Sequence, residues 1–151
     1  MSMSVKKMKA IVGLIAMFAI VSAHASDDAG LVKNVKGDVS IQRGEQKIAV
    51  KPGTRLQVSD RVITGANSSV GITLHDGTLL SAGPNSTLTL NKFEFDNTTH
   101  KGILDASLKR GTLAVVSGKL SKSSPDAVKY RTPTSILGVR GTEFLLEAGG
   151  N

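Results

Sequence analysis

The sequence predicts an all-β fold, arranged as a short β-solenoid or β-roll. Apolar residues alternate in short bursts from residue 31 onward, as strands with one buried face require. Turn residues separate the bursts at near-regular spacing, and the 151 residues include 16 glycines. Aromatic residues make up only 3%, so we expect a narrow aliphatic interior, which favours a solenoid slightly over a sandwich.

Residues 1–25 are predicted to be a secretory signal peptide with a helical apolar segment. Three lysines among the first nine residues precede an uncharged apolar run of 13 residues at 10–22, and Ala23 and Ala25 flank one position with small side chains. This run is shorter than the roughly 20 residues of a membrane-spanning helix. We therefore expect cleavage after Ala25 and a periplasmic chain without a stable membrane span. An anchor formed by the uncleaved segment is the alternative.

The remaining residues are expected to form one domain. Residues 26–30 are predicted to be a short flexible N-terminus, 31–147 the β domain, and 148–151 a flexible C-terminal tail. The net charge of +7 fits a soluble chain, or one weakly attracted to anionic surfaces.

The first strands and turns follow from alternation and glycine placement. Val39 and Ile41 share one face of the first clear strand. Pro52-Gly53 is typical of a type II turn, since proline fixes φ and glycine supplies a positive φ. Residues 69–82 alternate on both sides of Asp76-Gly77, which predicts a β-hairpin with a type I′ turn.

The later strands follow the same logic. Residues 86–95 and 111–118 each alternate as a strand. Residues 102–111 come nearest to a helical pattern, but they also fit a strand with Ile103, Asp105 and Ser107 on one side.

Residue types that carry catalysis are sparse. Without cysteine there is neither a disulfide nor a thiolate site, and His75 and His100 have no partner at metal-ligand spacing. No G-x-S-x-G elbow is present. We therefore predict a non-enzymatic protein with no catalytic, cofactor-binding or metal-binding residues.

Two other classes of feature are interpreted as structural. The Asn-x-Ser/Thr sites at Asn67, Asn85 and Asn97 match the glycosylation pattern, but they are more simply polar turn residues. Basic residues are dispersed and aromatic residues are few, so nucleic acid is not an expected partner.

The stretch RTPTSILGVRGTEF, residues 131–144, concentrates special backbone residues. Pro133 favours an extended residue before it, and Gly138 and Gly141 bracket a predicted sharp reversal. Arg140 is expected to tie down its own loop from the inside, with an exposed recognition role as the alternative. An apolar strand resumes at Phe144. If Gly141 requires a positive φ, its replacement by valine should destabilise the protein.

Taken with GTLAVVSG before it, this stretch resembles the signature of FecR-type domains, and residues 37–43 and 50–90 look like the first part of the same domain. The resemblance covers about residues 31–147. It implies that the signature residues are mainly structural, with Arg140 as a possible recognition residue. The signature residues are Thr132, Pro133, Thr134, Gly138, Val139, Arg140, Gly141, Thr142 and Phe144.

The resemblance implies an extracytoplasmic β-rich domain used for protein–protein signalling, without catalysis. In its best-known form the domain receives a signal from an outer-membrane siderophore transporter, and a cytoplasmic segment then controls a sigma factor. Here only nine residues precede the apolar run, too few for such a segment. The chain also ends soon after the signature, so we expect an exposed sheet edge that a partner could complete.

The sequence therefore predicts a stand-alone, secreted binding or signalling module without a cofactor. Its expected partner is an envelope protein or a surface polymer. One alternative is a periplasmic component of a sigma-factor or iron-transport pathway that acts through a membrane regulator. Another is an envelope enzyme that acts on polysaccharide, since β-solenoids can host lyases. The oligomeric state stays open.

Overall fold

The computed structural model describes residues 28–139 and 141–149, which form a curled, mainly antiparallel sheet. The all-β prediction is confirmed. Its strands are β1 (Asp28–Lys36), β2 (Val39–Arg43), β3 (Gln46–Ala49), β4 (Arg55–Gln57), β5 (Arg61–Thr64), β6 (Ser69–Leu74), β7 (Leu79–Ala82), β8 (Thr87–Phe95), β9 (Gly102–Val116), β10 (Val128–Arg131), β11 (Ile136–Gly138) and β12 (Glu143–Ala148). The helix α1 (Lys119–Ser123) and a 3₁₀ turn (Pro125–Ala127) separate β9 from β10.

Strand β9 belongs to both halves of the curled sheet. Its first part lies between β8 and β10, in a half ordered β3-β2-β5-β8-β9-β10-β11. Its second part lies between β7 and β12, in a half ordered β4-β1-β6-β7-β9-β12. Gly111, with φ of +93°, marks the change from one half to the other. Inward side chains of both halves form one largely aliphatic core.

The predicted short solenoid or roll is not confirmed. Coils of a β-solenoid stack their strands in parallel. Within the described part of the chain, β9 and β10 are parallel, whereas the other strand pairs are antiparallel. The predicted signal-peptide helix, with Ala23 and Ala25, lies outside the described residues.

Several predicted boundaries differ from the structure. Residues 28–30 are part of β1 rather than a flexible terminus, and the Ala29 side chain is fully buried. Ala148 ends β12 rather than opening a flexible tail. The segments 102–111 and 111–118, interpreted as separate, are joined in β9, because Gly111 bends the strand without ending it. Among the described residues, no helix has the length and apolar character needed to cross a membrane.

The hairpin of β6 and β7 is confirmed, but its turn is not type I′. Gly77 has φ of +86°, whereas Asp76 does not adopt a positive φ. The buried Asp76 carboxylate instead accepts hydrogen bonds from the Thr78 amide at 3.0 Å and the Thr78 hydroxyl at 2.8 Å. It also accepts one from the Leu120 amide at 3.2 Å. Asp76 therefore holds the start of α1, which the alternation pattern did not predict.

Two related turns bind the backbone at two bends of the sheet, one at Gly37 and one at Gly111. Residues 65–68 and 83–86 both follow the pattern Gly-x-Asn-Ser, and Asn67 and Asn85 both have φ of +52°. This agrees with their interpretation as turn residues. The predicted Pro52-Gly53 turn is also present, with a hydrogen bond from the Thr54 amide to the Lys51 carbonyl at 3.0 Å.

The serine of each related turn binds the backbone at a bend. The Ser68 hydroxyl accepts a hydrogen bond from the Asp38 amide at 2.8 Å, beside Gly37. The Ser86 hydroxyl accepts one from the Thr112 amide at 3.0 Å, beside Gly111. Each serine hydroxyl thus gives one backbone amide at its bend a hydrogen-bond partner within the protein.

Candidate functional site

The stretch 131–144 forms the end of β10, a tight turn, β11 and the start of β12. Mutual hydrogen bonds between the backbones of Thr132 and Ser135, at 2.9 and 3.4 Å, close the turn at Pro133-Thr134. Strands β10 and β11 then pair antiparallel. A sharp reversal therefore lies at Pro133-Thr134. The reversal predicted between Gly138 and Gly141 includes Arg140, which lies outside the described residues.

Gly138 and Gly141 are not sterically required in this arrangement. Neither has a positive φ, and a Cβ atom added to either would find no atom within 4 Å. The condition under which a valine at Gly141 would destabilise the protein is therefore not met. Arg140, the predicted clamp or recognition residue, lies outside the described residues.

Arg131 ties the start of this stretch to β9 through an ion pair with Asp105. Its Nε lies 3.0 Å from both carboxylate oxygens of Asp105, and its Nη2 lies 2.9 Å from Oδ2. Asn91 donates a further hydrogen bond to Asp105 at 2.9 Å. Partial burial favours a higher pKa for Asp105, but the hydrogen bonds from Arg131 and Asn91 outweigh it and lower that pKa.

Sequence reasoning missed this pair, although one signal was present. Asp105 lies on a strand face shared with Ile103 and Ser107, and a charge held in a strand needs a partner. The parallel register of β10 and β9 places Arg131 opposite Ser107, which is the next residue after Asp105 on the same face of β9.

Phe144 anchors the other end of the stretch in the core. Its ring meets Tyr130 edge-on, with centroids 5.1 Å apart and planes at 71°. Tyr130 is itself buried, and burial raises the pKa of its hydroxyl, with the negative charge of Asp76 adding to the effect. The two ends of the stretch are thus fixed by an ion pair and an aromatic pair.

The other signature residues lie between these anchors. Val139 is buried and Thr132 is half-buried. Pro133, Thr134 and Thr142 are exposed, as are both signature glycines. The structure therefore brings Phe144 into contact with the core and leaves most of the signature on the surface.

Apolar side chains are exposed along this stretch and directly after it. Ile136 is 62% exposed and Leu145 is 61% exposed, and Leu137 is also exposed. An open groove of about 300 Å³ runs beside β12, with Leu137 and Leu145 among its lining residues. Exposed aliphatic side chains beside a groove are typical of protein-binding surfaces. Ile136 lines a neighbouring groove with Val128, and the two grooves share Gly138 and Val139. We call Ile136, Leu137 and Leu145, which lie beside these two grooves, the exposed apolar patch.

The histidines have surface environments. His75 is exposed, and its Nε2 lies 3.6 Å from the Asp28 carboxylate, which also pairs with Arg55 at 2.8 Å. His100 stacks on Phe95 at a centroid distance of 5.9 Å. Within residues 28–139 and 141–149, no group of three or more potential metal ligands is close enough to hold an ion. What this surface offers chemically is apolar contact and backbone pairing.

The family model described as FecR protein matches residues 60–151, more than half of the chain. The match starts just before β5 and includes the whole stretch 131–144. No curated protein and no solved structure matches the chain.

Proposed function

Because this chain belongs to the FecR protein family, we propose that it is a non-catalytic signalling module that binds an envelope protein or a surface polymer outside the cytoplasm. The family itself indicates a signalling-related regulator module. The partner class and the compartment are our proposals. They rest on the surface chemistry of the stretch 131–144 and on the signal-peptide pattern of residues 1–25.

The exposed apolar patch is the observation that carries this proposal. Leu145 and Ile136 each leave more than half of their side chain in water. Covering such side chains releases roughly 25 cal/mol per Å² of apolar surface. Ile136 and Leu137 lie on a stretch that Arg131 ties to β9 and Phe144 ties to the core, and Leu145 follows it directly, so little ordering would be needed on binding.

A role in a sigma-factor or iron-transport pathway is a narrower form of the same proposal. The protein would then bind the periplasmic part of a membrane regulator and modulate it indirectly. Envelope polysaccharide cleavage is the competing form, and turnover of uronate polymers or peptidoglycan by the purified protein would support it instead.

Site-specific photo-crosslinking in living cells tests the proposal. A photoreactive amino acid at position 136 lies in the exposed apolar patch, and the same residue at position 47 lies on an exposed part of β3 as the control. We expect discrete adducts from position 136 only. Adducts at both positions, or at neither, would contradict a specific binding role for this surface.

A further inference from the structure

The outer edge of β12 carries alternating acidic and apolar side chains. Strand β12 pairs with β9 on one edge, and within the described ranges no strand pairs with its other edge. Glu143, Leu145 and Glu147 are all exposed, whereas Leu146 is buried. The exposed face therefore presents acid, leucine and acid at every second position.

The backbone of these exposed residues is also oriented for pairing. The Ser117 amide donates a 2.7 Å hydrogen bond to the Thr142 carbonyl, and the register of β9 and β12 places these two residues opposite each other. Hydrogen-bonded and non-bonded pairs alternate in an antiparallel ladder. The even-numbered residues of β12 therefore bond to β9. The amide and carbonyl groups of Glu143, Leu145 and Glu147 face away from it.

Resting on the binding role proposed above, we propose that β12 accepts an added β-strand of a partner protein whose outward residues alternate basic, apolar and basic. Main-chain hydrogen bonds would supply much of the affinity, as in other cases of strand addition. A basic residue opposite each glutamate and an apolar residue opposite Leu145 would supply the selectivity.

The surroundings of Leu145 favour an apolar residue at the central position. Leu145 lies opposite Ala114 of β9. Val116, two residues further along β9 on the same face, lies opposite Leu79 of β7. Leu79 and Val116 are exposed, so an apolar stripe crosses this face of the sheet and ends at Leu145. The groove beside β12 leaves room for the side chains of an incoming strand.

A second copy of this chain is a poor occupant. If two β12 strands paired antiparallel about Leu145, each Glu143 would lie opposite a Glu147. Like charges directly opposite each other destabilise a strand pair. The two glutamates therefore discourage self-association and favour a basic partner strand.

Selection from a displayed library of nine-residue peptides tests this inference. The targets are the purified protein, the double variant Glu143→Lys/Glu147→Lys, and the control Glu45→Lys/Glu94→Lys, which changes two exposed glutamates elsewhere. We expect enrichment of basic-x-apolar-x-basic peptides on the protein and its control. The double variant should instead enrich acidic peptides. Affinities should change by about tenfold, because two cross-strand charge pairs reverse sign.

Hydrogen exchange identifies the binding mode. A bound Lys-Thr-Val-Thr-Lys peptide should newly protect the amides of Glu143, Leu145 and Glu147, while those of Phe144 and Leu146 are protected already. Equal enrichment on all three targets, or a bound peptide without new protection, would overturn the inference. If adducts from position 136 are retained in that case, the binding role survives and the strand-addition model alone fails.

Discussion

The Arg131 guanidinium holds the Asp105 carboxylate through both of its oxygens, joining β10 to β9 across a parallel pair of strands. The contact lies directly before the turn that presents Ile136. The ion pair therefore fixes the end of β10 from which the turn to Ile136 starts.

Replacing Arg131 with alanine should lower the free energy of unfolding, because the change removes the cationic partner of Asp105. The lowered pKa of Asp105 makes this loss depend on pH. The contribution is complete above the ordinary carboxylate pKa of about 4, and it disappears as pH falls through the lowered folded-state pKa. Urea unfolding of the protein and the variant between pH 7 and pH 2 measures this.

The matched control for this prediction is Arg61→Ala, which removes an exposed arginine from β5. We expect it to change stability by less than about 0.5 kcal/mol at every pH. A stability difference for Arg131→Ala that stays constant down to pH 2 would show that the ion pair is not its source.

Gly111→Ala should be strongly destabilising. The residue has φ of +93°, and an added Cβ would lie 2.1 Å from the Ser86 hydroxyl oxygen. The variant combines backbone strain with a steric clash against Ser86. We expect the free energy of unfolding to fall by about 3 kcal/mol or more. Thermal unfolding followed by circular dichroism measures it.

Two other glycines separate these causes. Gly44 has φ of +59° with open space around it, so Gly44→Ala should cost only the backbone term of about 1 kcal/mol. Gly141 has neither a positive φ nor a close neighbour, so Gly141→Ala should be nearly neutral. Equal losses for Gly111→Ala and Gly44→Ala would contradict the steric part of the argument.

Asp76→Ala should release α1 from the sheet. The change leaves the amides of Thr78 and Leu120 without their acceptor, at a cost of about 1–3 kcal/mol for each buried group. We expect faster hydrogen exchange at Leu120 before global unfolding. Asp126→Ala, on the neighbouring 3₁₀ turn, is the control and should leave exchange at Leu120 unchanged.

Phe144→Leu should weaken the core end of the stretch 131–144. It keeps an apolar side chain but removes the edge-on contact with Tyr130, which is worth about 0.5–1.5 kcal/mol beyond the buried area. We expect a loss of this size in denaturant unfolding. A Tyr130→Phe variant, which keeps the ring, should retain the contact. A double-mutant cycle of Phe144→Leu with Tyr130→Leu, in which each change removes the ring contact, isolates its energy.

Local patterns predicted the strands and most turns, because alternation and glycine placement act over a few residues. The hydrogen-bond partners of Asp76 and Arg131 could not be predicted in the same way. Asp76 binds the Leu120 amide 44 positions along the chain, and Arg131 binds Asp105 across 26 positions. At such sequence separations a local pattern does not indicate which residues lie opposite each other. For the same reason alternation could not distinguish a solenoid from a curled antiparallel sheet, since both bury every second side chain.

The shared strand β9 also constrains how this protein can fold. Both halves of the sheet are incomplete until residues 102–116 are in place, and β1 must find β6 some 40 positions downstream. Such pairings are non-local, so we expect folding on the millisecond-to-second scale. Neither half has a complete core on its own, and kinetics should show one cooperative phase in which both halves form together. An amino-terminal fragment that ends before Gly102 would lack β9 and would therefore remain unfolded and accessible to proteases.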